Sequence, residues 1–402
     1  MANLFNNSRF NFVGELVASK KGSIITSRLN EKSEYFKTRG NFGIKAEGST
    51  QYLKLEYIHP QELKTVKIYC GGEGDNKLIE IPVADTLKAE NIAKAMFQTT
   101  IDLETDFEKK KTRESLIYKR RNHENKEEKT QEDLDKIAEY TKQIDELSDN
   151  VIKFIHDKDV MHFLNRSFDS FKGKKVRVTG NVKSNYYNGK NQLQYVPNHI
   201  EFVPDDYQEG LTFNADVFYD KDSIEDDKKE KKMFINGYIG ERVKKADKLF
   251  PIALVLDYSK INEEDEKQSM LLKLMKDTFE IKDKKQVHKI GVKVGVVNGS
   301  EKIEFDESCL TERQKTAVAL GMNKVEDFRP RSGNVFGEYK QELKVLNPML
   351  RDYPEGSIEV FSIEELEDYL TLDDSDVKAS DVKVNEEETT LSTEDLMAKL
   401  FQ

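Results

Sequence analysis

The sequence predicts an α+β protein that is mostly β, with β-barrel modules, a long antiparallel helical-hairpin insertion and a disordered acidic C-terminal tail. Three observations predict it. Short runs of alternating apolar and polar residues, separated by turn residues, lie on both sides of a central segment. That segment, residues 86–170, contains no glycine or proline and has apolar residues three and four positions apart. From residue 371 the chain is acidic and nearly free of aromatic residues.

Length and composition limit the classes of protein that fit. The 402 residues are enough for two or three domains, and 37% hydrophobic with 35% charged residues favours globular modules with solvated helices over one large α/β enzyme. No apolar run approaches the length that crosses a membrane, and Met1–Phe12 lacks a signal-peptide pattern. Cys70 and Cys309 show neither metal-ligand spacing nor a disulfide framework, which indicates a reducing, cytoplasmic location.

The first 85 residues are predicted to be β-structure. The polar turn Glu47–Thr50 joins two alternating runs and is typical of a hairpin. The predicted strands are residues 9–19, 36–47, 51–58, 66–69 and 77–81.

The central segment is predicted to be an antiparallel helical hairpin inserted into the first barrel. Its turn is predicted at Arg121–Asn125. Two apolar stripes define the helices: Ile92, Met96, Leu103 and Phe107, then Leu134, Ile137, Thr141, Ile144, Leu147, Val151 and Phe154.

Strands resume at residues 174–184 and 192–203 around an Asn188-Gly189 turn, so residues 1–85 and 171–207 are predicted to form one barrel. Residues 208–370 form a second β-rich domain with a helix over 266–279. In it, Thr311 and Gln314 make a capping box. The further strands of this domain are predicted at 211–219, 232–243, 251–258, 287–298 and 338–346.

Charge is unevenly distributed along the chain. The net charge is −11, but residues 371–402 hold nine acids and three lysines, while Phe171–Pro197 holds six basic residues and no acid. Affinity for phosphates depends on a local basic path, so a nucleic-acid partner stays compatible with the acidic total.

The stretch Lys174–Lys190, with the return strand His199–Val203, resembles the fourth and fifth strands of bacterial-type single-stranded DNA-binding proteins, which have the oligonucleotide-binding (OB) fold. Gly180 matches the family's strand glycine, Tyr187 its stacking aromatic and Lys183 a basic groove position. The short loop, the long insertion and the absence of tryptophan depart from the family and suggest a divergent phage-type member. A phage-encoded protein would work in the cytoplasm of its bacterial host.

The resemblance implies sequence-independent binding and protection of single-stranded DNA during replication and recombination, without catalysis or cofactors. Such binding needs a cationic groove for phosphates and exposed rings on which bases stack. The candidate DNA-binding residues are Arg28, Lys32, Tyr35, Lys37, Arg39, Phe42, Lys175, Arg177, Lys183, Tyr186, Tyr187 and Lys190. The alternative interpretation is that the tyrosines are ordinary turn residues and the lysines a solvated face.

The tail ends in an acidic lead followed by apolar residues, a pattern that such proteins use to recruit replication and recombination enzymes. The candidate partner-binding residues are Leu396, Met397, Leu400 and Phe401. A purely solubilising tail is the alternative.

Two other classes of function remain open. The hairpin could be the working surface of a structural or adaptor protein, such as a viral assembly or scaffolding factor, and the chain could form a homo-oligomer. A metal-dependent nuclease is a weaker hypothesis, because the six histidines are scattered and His156 and His162, six positions apart, do not share a helix face. No phosphate-binding loop or nucleophile motif is present, so no catalytic or metal-binding residues are assigned.

Overall fold

The structure, a computed structural model, describes residues 8–19, 23–30, 33–71, 78–187, 190–243, 246–303, 307, 310–329, 335–349 and 358–370. These residues form a mostly β fold with a minority of helix, in line with the predicted class. Within these ranges, no helix combines the length and apolar character needed to span a bilayer.

The first β-segment contributes strands to a barrel and also forms a separate three-stranded sheet. Its strands are β1 (Arg9–Ala18), β2 (Ile25–Asn30), β3 (Tyr35–Gly40), β4 (Phe42–Ala46), β5 (Ser49–Tyr52) and β6 (Leu55–His59). β1 pairs antiparallel with β4, and β4 with β5, whereas β3 lies between β2 and β6 in a separate three-stranded sheet. A small hairpin of β7 (Thr65–Tyr69) and β8 (Leu78–Pro82) follows.

The central segment mixes helices and strands. It consists of α1 (Ala89–Lys94), β9 (Thr99–Asp102), α2 (Phe107–Glu124), α3 (Gln131–Glu146), β10 (Val151–Phe154), α4 (Asp157–Arg166) and α5 (Phe168–Phe171). α2 and α3 contact each other at both ends, through His123 Nδ1 and Asp133 Oδ1 at 2.7 Å and through Arg113 Nη1, which donates to the Leu147 carbonyl at 3.1 Å. The two helices therefore run antiparallel.

The expectation that the stripe Ile92, Met96, Leu103 and Phe107 lies on one helix of the hairpin is wrong, because Ile92 belongs to α1, Phe107 begins α2 and β9 lies between them. The β-branched run Thr99-Thr100-Ile101 forms β9 instead, and Val151 and Phe154 belong to β10 rather than to the second helix. β9 pairs with β10 and, in parallel, with the later strand that contains Ile200. An unpaired sheet edge nearby therefore outweighs the helical spacing of these apolar residues.

The first barrel closes around β11 (Lys175–Tyr187) and β12 (Lys190–Phe202), which form a long hairpin. β11 pairs antiparallel with β1, and the amide of Lys54, between β5 and β6, donates to the carbonyl of Tyr195 in β12 at 2.7 Å. With this single hydrogen bond counted as the contact between the end of β5 and β12, the strand order is β1–β4–β5–β12–β11 and back to β1. Phe10, Phe12, Phe42 and Ile44 fill the interior.

The second β-rich region forms a barrel of the same order. Its elements are β13 (Gly210–Tyr219), β14 (Ile224–Asp227), β15 (Lys232–Val243), β16 (Ala246–Asp257), α6 (Glu266–Phe279), β17 (Gln286–Ile303), α7 (Glu312–Ala319), β18 (Val335–Met349), β19 (Glu359–Ser362) and α8 (Ile363–Leu366). β13–β15–β16 are consecutive antiparallel neighbours, β16 pairs in parallel with β18, and β18–β17–β13 complete the circuit. α6 lies between the third and fourth strands of this barrel, as α4 does in the first.

The two barrels share hydrogen-bonded edges. β1 pairs antiparallel with β13 from Arg9↔Asn214 to Val13↔Gly210, and β17 pairs with β5 at Gly299↔Ser49. These pairings close a ring of eight strands, β1–β13–β15–β16–β18–β17–β5–β4. The sheet is thus continuous from one barrel to the other.

Substituting Gly180 with alanine should destabilise the fold. A Cβ at Gly180 would lie 2.0 Å from the Val196 carbonyl oxygen and 2.8 Å from Phe10 Cε1, beside a register shift in the β11–β12 hairpin. We expect a loss of about 3 kcal/mol or more, because neither the backbone nor the packed ring can move aside. Urea unfolding measures this, with Thr179→Ala as the neighbouring control; equal stability of the two variants would contradict the prediction.

Candidate nucleic-acid interface

Four of the predicted DNA-binding residues lie on one face of the three-stranded sheet. Side chains alternate along a strand, so Tyr35, Lys37 and Arg39 of β3 point to the same side. Arg28 of β2 is the cross-strand partner of Lys37 and points to that side as well. Tyr35 is 48% exposed, and Arg28 and Arg39 are exposed.

The same face continues on strands that the sequence analysis did not assign to the site. Glu56 and Ile58 of β6 oppose Arg39 and Lys37, and Lys54 ion-pairs with Glu56 at 2.6 Å. Tyr52, 48% exposed, lies across from Gly43, where a Cβ would come within 3.3 Å of the Tyr52 ring. In the sequence, the spacing of two between Tyr52, Lys54, Glu56 and Ile58 could have indicated that these residues share one side of a strand.

We call this surface the cationic face. It consists of Arg28, Tyr35, Lys37, Arg39, Tyr52, Lys54, Glu56 and Ile58. Among its described residues, four cations share this face with one carboxylate, so their summed charge is positive although the chain is acidic. Two exposed tyrosine rings flank the charges.

Glu56 organises these cations. Its carboxylate lies 3.1 Å from Lys37 Nζ, 3.0 Å from Arg39 Nε and 2.6 Å from Lys54 Nζ. Burial by itself would raise the pKa of Glu56, but hydrogen bonds from Lys54 and Arg39 outweigh burial and lower the pKa to about 2. The carboxylate is therefore ionised at neutral pH, and it holds three cations side by side.

The opposite face of the sheet is supported by a row of rings. Phe36 stacks on His59 with 5.6 Å between centroids, His59 stacks on Tyr57 at 4.9 Å, and Tyr57 meets His156 edge-on at 5.2 Å. Thr38 Oγ1 hydrogen-bonds His59 Nε2 at 2.9 Å. This packing ties β3 and β6 to the start of α4 and holds the cationic face outward.

The prediction that Phe42 contacts DNA is wrong. Its side chain is fully buried with Ile44 in the barrel core, so it cannot stack on a base. Side chains alternate between the two sides of a strand, and Phe42 has an even number whereas the exposed residues of β3 have odd numbers, so Phe42 points to the opposite side. Lys32, also a predicted contact, lies outside the described residues.

Lys175 and Arg177 lie on the outer side of β11 but are held by the protein itself. Lys175 Nζ donates to the carbonyls of Asp205 at 2.5 Å and Tyr207 at 2.8 Å. Arg177 ion-pairs with Glu201, and its Nη1 donates to the Tyr207 hydroxyl at 3.0 Å. These contacts assign both cations to packing of the 203–209 connection.

The β11–β12 hairpin is formed, but the DNA-binding residues predicted on it differ in their exposure. Lys183 is exposed, whereas Tyr186 packs toward the core with its ring 6.4 Å from that of Phe250. Tyr186 is therefore not the open stacking platform that was predicted. Tyr187 and Lys190 pair in register, and their side chains lie outside the described structure. The tail residues Leu396, Met397, Leu400 and Phe401 are also outside it.

The second barrel has a matching hairpin without the charges. Gly240↔Leu249 corresponds to Gly43↔Tyr52, since each pair lies three residues from its turn. At this offset of 197 residues, Phe234, Asn236 and Pro251 take the positions of Lys37, Arg39 and Lys54. Leu249 is 1% exposed, because it packs in a cluster with Phe218, Leu366 and Leu370. In the part of the chain that is described, the second barrel thus has no equivalent cationic face.

Among the residues that the structure describes, one group of side chains has the spacing of a metal site: Asp102, His199 and Glu201. Both carboxylates are nearly inaccessible and already paired, Asp102 with Arg113 and Glu201 with Lys110 and Arg177. Burial raises the pKa of Glu201, but hydrogen bonds from His199 and Lys110 lower it to about 2. With more cations than carboxylates present, the group does not favour a metal ion.

This buried ionic cluster instead docks the helices on the barrel. Lys110 and Arg113 project from α2, Asp102 lies on β9 and Glu201 on β12. Lys110 Nζ also donates to the Phe202 carbonyl at 2.7 Å. Paired buried charges of this kind fix the position of an element, because a shift would leave a charge uncompensated.

Comparisons with protein families, with curated proteins and with solved structures found no match to this chain.

Asp157, whose Oδ2 accepts the Glu56 amide at 3.3 Å, should make stability depend on pH. Burial raises its pKa to about 6, although the hydrogen bond from the Glu56 amide acts in the opposite direction. Because the folded state binds this proton more tightly than the unfolded state, the contribution of Asp157 to stability should fall as pH rises from about 4 through 6 and then level off. Asp157→Asn should match wild type near pH 4 and exceed it by about 1–2 kcal/mol at pH 8.

Urea unfolding at several pH values measures this difference. Asp169→Asn, at an exposed position in α5, is the control and should change nothing. A constant difference between wild type and Asp157→Asn across pH 4 to 8 would contradict the assignment.

Proposed function

We propose that this chain binds single-stranded DNA without sequence preference, protecting it during replication and recombination, and that the cationic face of the first barrel is its binding surface. The observation that carries the proposal is the combination on one sheet face of four cations, a single shared carboxylate and two exposed tyrosine rings. Phosphates pair with the cations, and bases stack on the rings.

The strand order of both barrels supports this assignment. A closed five-stranded circuit, with the third and fifth strands adjacent and a helix before the fourth, is the arrangement of the OB fold. In that fold, the surface of the second and third strands and the loop between the fourth and fifth bind nucleic acid. The cationic face lies mainly on β3 and β6, whose pairing continues the register of the second and third strands, β4 and β5, and Lys183 lies on the hairpin of the fourth and fifth strands.

The difference between the barrels favours the first as the binding module. The second barrel replaces the cations with Phe234, Asn236 and Pro251, and part of its face is covered by the chain itself through Leu370. Neutral side chains release no counterions from a nucleic acid and add no electrostatic affinity. We assign to the acidic tail the recruitment of replication or recombination enzymes, on its sequence pattern alone.

Replacing two cations should weaken binding. We expect Lys37→Ala/Arg39→Ala to bind oligo-dT about 100-fold more weakly, because each of the two charge-assisted contacts contributes about 1.5 kcal/mol. The slope of the logarithm of the binding constant against the logarithm of the salt concentration should become less steep by about 1.4, or about 0.7 for each lost phosphate contact. Fluorescence anisotropy at several salt concentrations measures both effects.

Lys136→Ala/Lys142→Ala is the matched control, since it removes the same charge from α3, far in sequence from the face. Thermal unfolding of each variant separates loss of binding from loss of structure. Equal affinities for the two double variants would rule out the cationic face, and cleavage of the oligonucleotide with magnesium or manganese would replace the proposal with a nuclease.

Neutralising Glu56 should strengthen binding. Its carboxylate competes with phosphates for Lys37, Arg39 and Lys54, so Glu56→Gln should bind oligo-dT about tenfold more tightly at low salt. Glutamine retains the size and an acceptor oxygen. Glu132→Gln on α3, which removes the same charge from a surface ion pair with Lys136, is the control. Weaker binding by Glu56→Gln would show that this carboxylate orders the cations for DNA rather than competing with it.

A further inference from the structure

α6 is apolar on two sides, and the barrel covers only one of them. Leu272, Met275 and Phe279 are buried against the second barrel. Met270, Leu271 and Leu274 are 74%, 52% and 56% exposed. Three large apolar side chains within five residues of one helix form a contiguous surface of the kind that binds another segment.

A cavity of about 280 Å³ lies beside this surface. Its apolar lining includes Leu256, Met275 and Leu346, and Met275 lies one turn after Leu271 on the same helix. Lys260 and Lys344 also line the cavity with Asp257, which Lys344 pairs at 3.2 Å. The pocket is therefore apolar inside and carries one more cation than acid.

We propose that the apolar end of the acidic tail, residues 394–401 of the same chain, docks on α6 and this cavity. Leu396, Met397, Leu400 and Phe401 repeat the spacing of Met270, Leu271 and Leu274, with two adjacent apolar residues and a third four positions after the first. Side chains at these positions share one side of a helical turn. Glu394 and Asp395 precede them and complement the lysines of the cavity.

The tail starts beside the same strand that lines the cavity, and it is long enough to reach the cavity. Leu370 bridges to Leu249 near the start of β16, and the cavity includes Leu256 on the same strand. Seven residues of strand span about 23 Å at about 3.3 Å per residue. Residues 371–395 make a 25-residue acidic connection, which is at least as extended as a neutral flexible chain of about 25–30 Å because like charges repel. The connection is therefore long enough to reach the cavity, as intramolecular docking requires.

Docking would hold the acidic tail at the second barrel, away from the cationic face of the first. It would also cover the residues assigned to partner recruitment until a partner competes for them. The inference concerns the chain alone and does not depend on DNA binding, so its failure would leave the proposed function standing.

Hydrogen exchange of the full-length protein without DNA, followed by mass spectrometry, tests the docking. In the wild type, amides of 394–401 should exchange at least threefold more slowly than in a Leu271→Asp/Leu274→Asp variant. α6 should lose protection in that variant and, to the same extent, in a Leu400→Asp/Phe401→Asp variant. Combining both pairs of substitutions should add nothing further, because they remove the same contact.

Met322→Asp is the control, since Met322 is 73% exposed outside α6 and its substitution should leave the exchange of the tail unchanged. Exchange of 394–401 at the rate of an unstructured peptide in the wild-type protein would overturn the proposal. Protection that grows with protein concentration would also overturn it, because the occupant would then be a second copy of the chain.

Discussion

The antiparallel pairing of β1 holds the molecule together. This one strand bonds to β11 along one edge, and along the other to β13 with its first half and to β4 with its second half. It therefore closes the first barrel and joins it to the second. Phe10 and Phe12 on β1 pack against Tyr195 with centroid distances of 5.6 and 4.8 Å, so the same strand also carries part of the core.

The three-stranded sheet of β2, β3 and β6 presents charged side chains on one of its two sides. The row Phe36, His59, Tyr57 and His156 fills one side of that sheet, which leaves the other side for Arg28, Lys37 and Arg39. Like charges at this spacing repel, and Glu56 offsets the repulsion by pairing with three cations. The cations are thus held in place in the free protein, and a phosphate that pairs with them has to displace this carboxylate.

The two barrels share a strand order but differ in what covers their outer surfaces. In the first, Tyr52 across from Gly43 stays half exposed; in the second, Leu249 across from Gly240 is buried under Leu370. Burial of an apolar residue by the chain itself is typical of a structural surface, whereas an exposed ring among cations is typical of a binding surface. A shared fold therefore does not imply a shared function.

The sequence by itself determined most strands of the two barrels, the helix at 266–279 and the capping box at Thr311, because local alternation and turn chemistry encode them. It did not predict β2 or β14, and it assigned Ser49 and Thr50 of β5 to a turn. It misassigned Phe42 and Tyr186, which pack inward, and the helical spacing around residues 92–107. Only the tertiary structure decided that β1 bonds to β13, that Glu201 captures Arg177, and that Tyr52 and Lys54 join the cationic face. These depend on contacts between residues far apart in the chain, which no local pattern records.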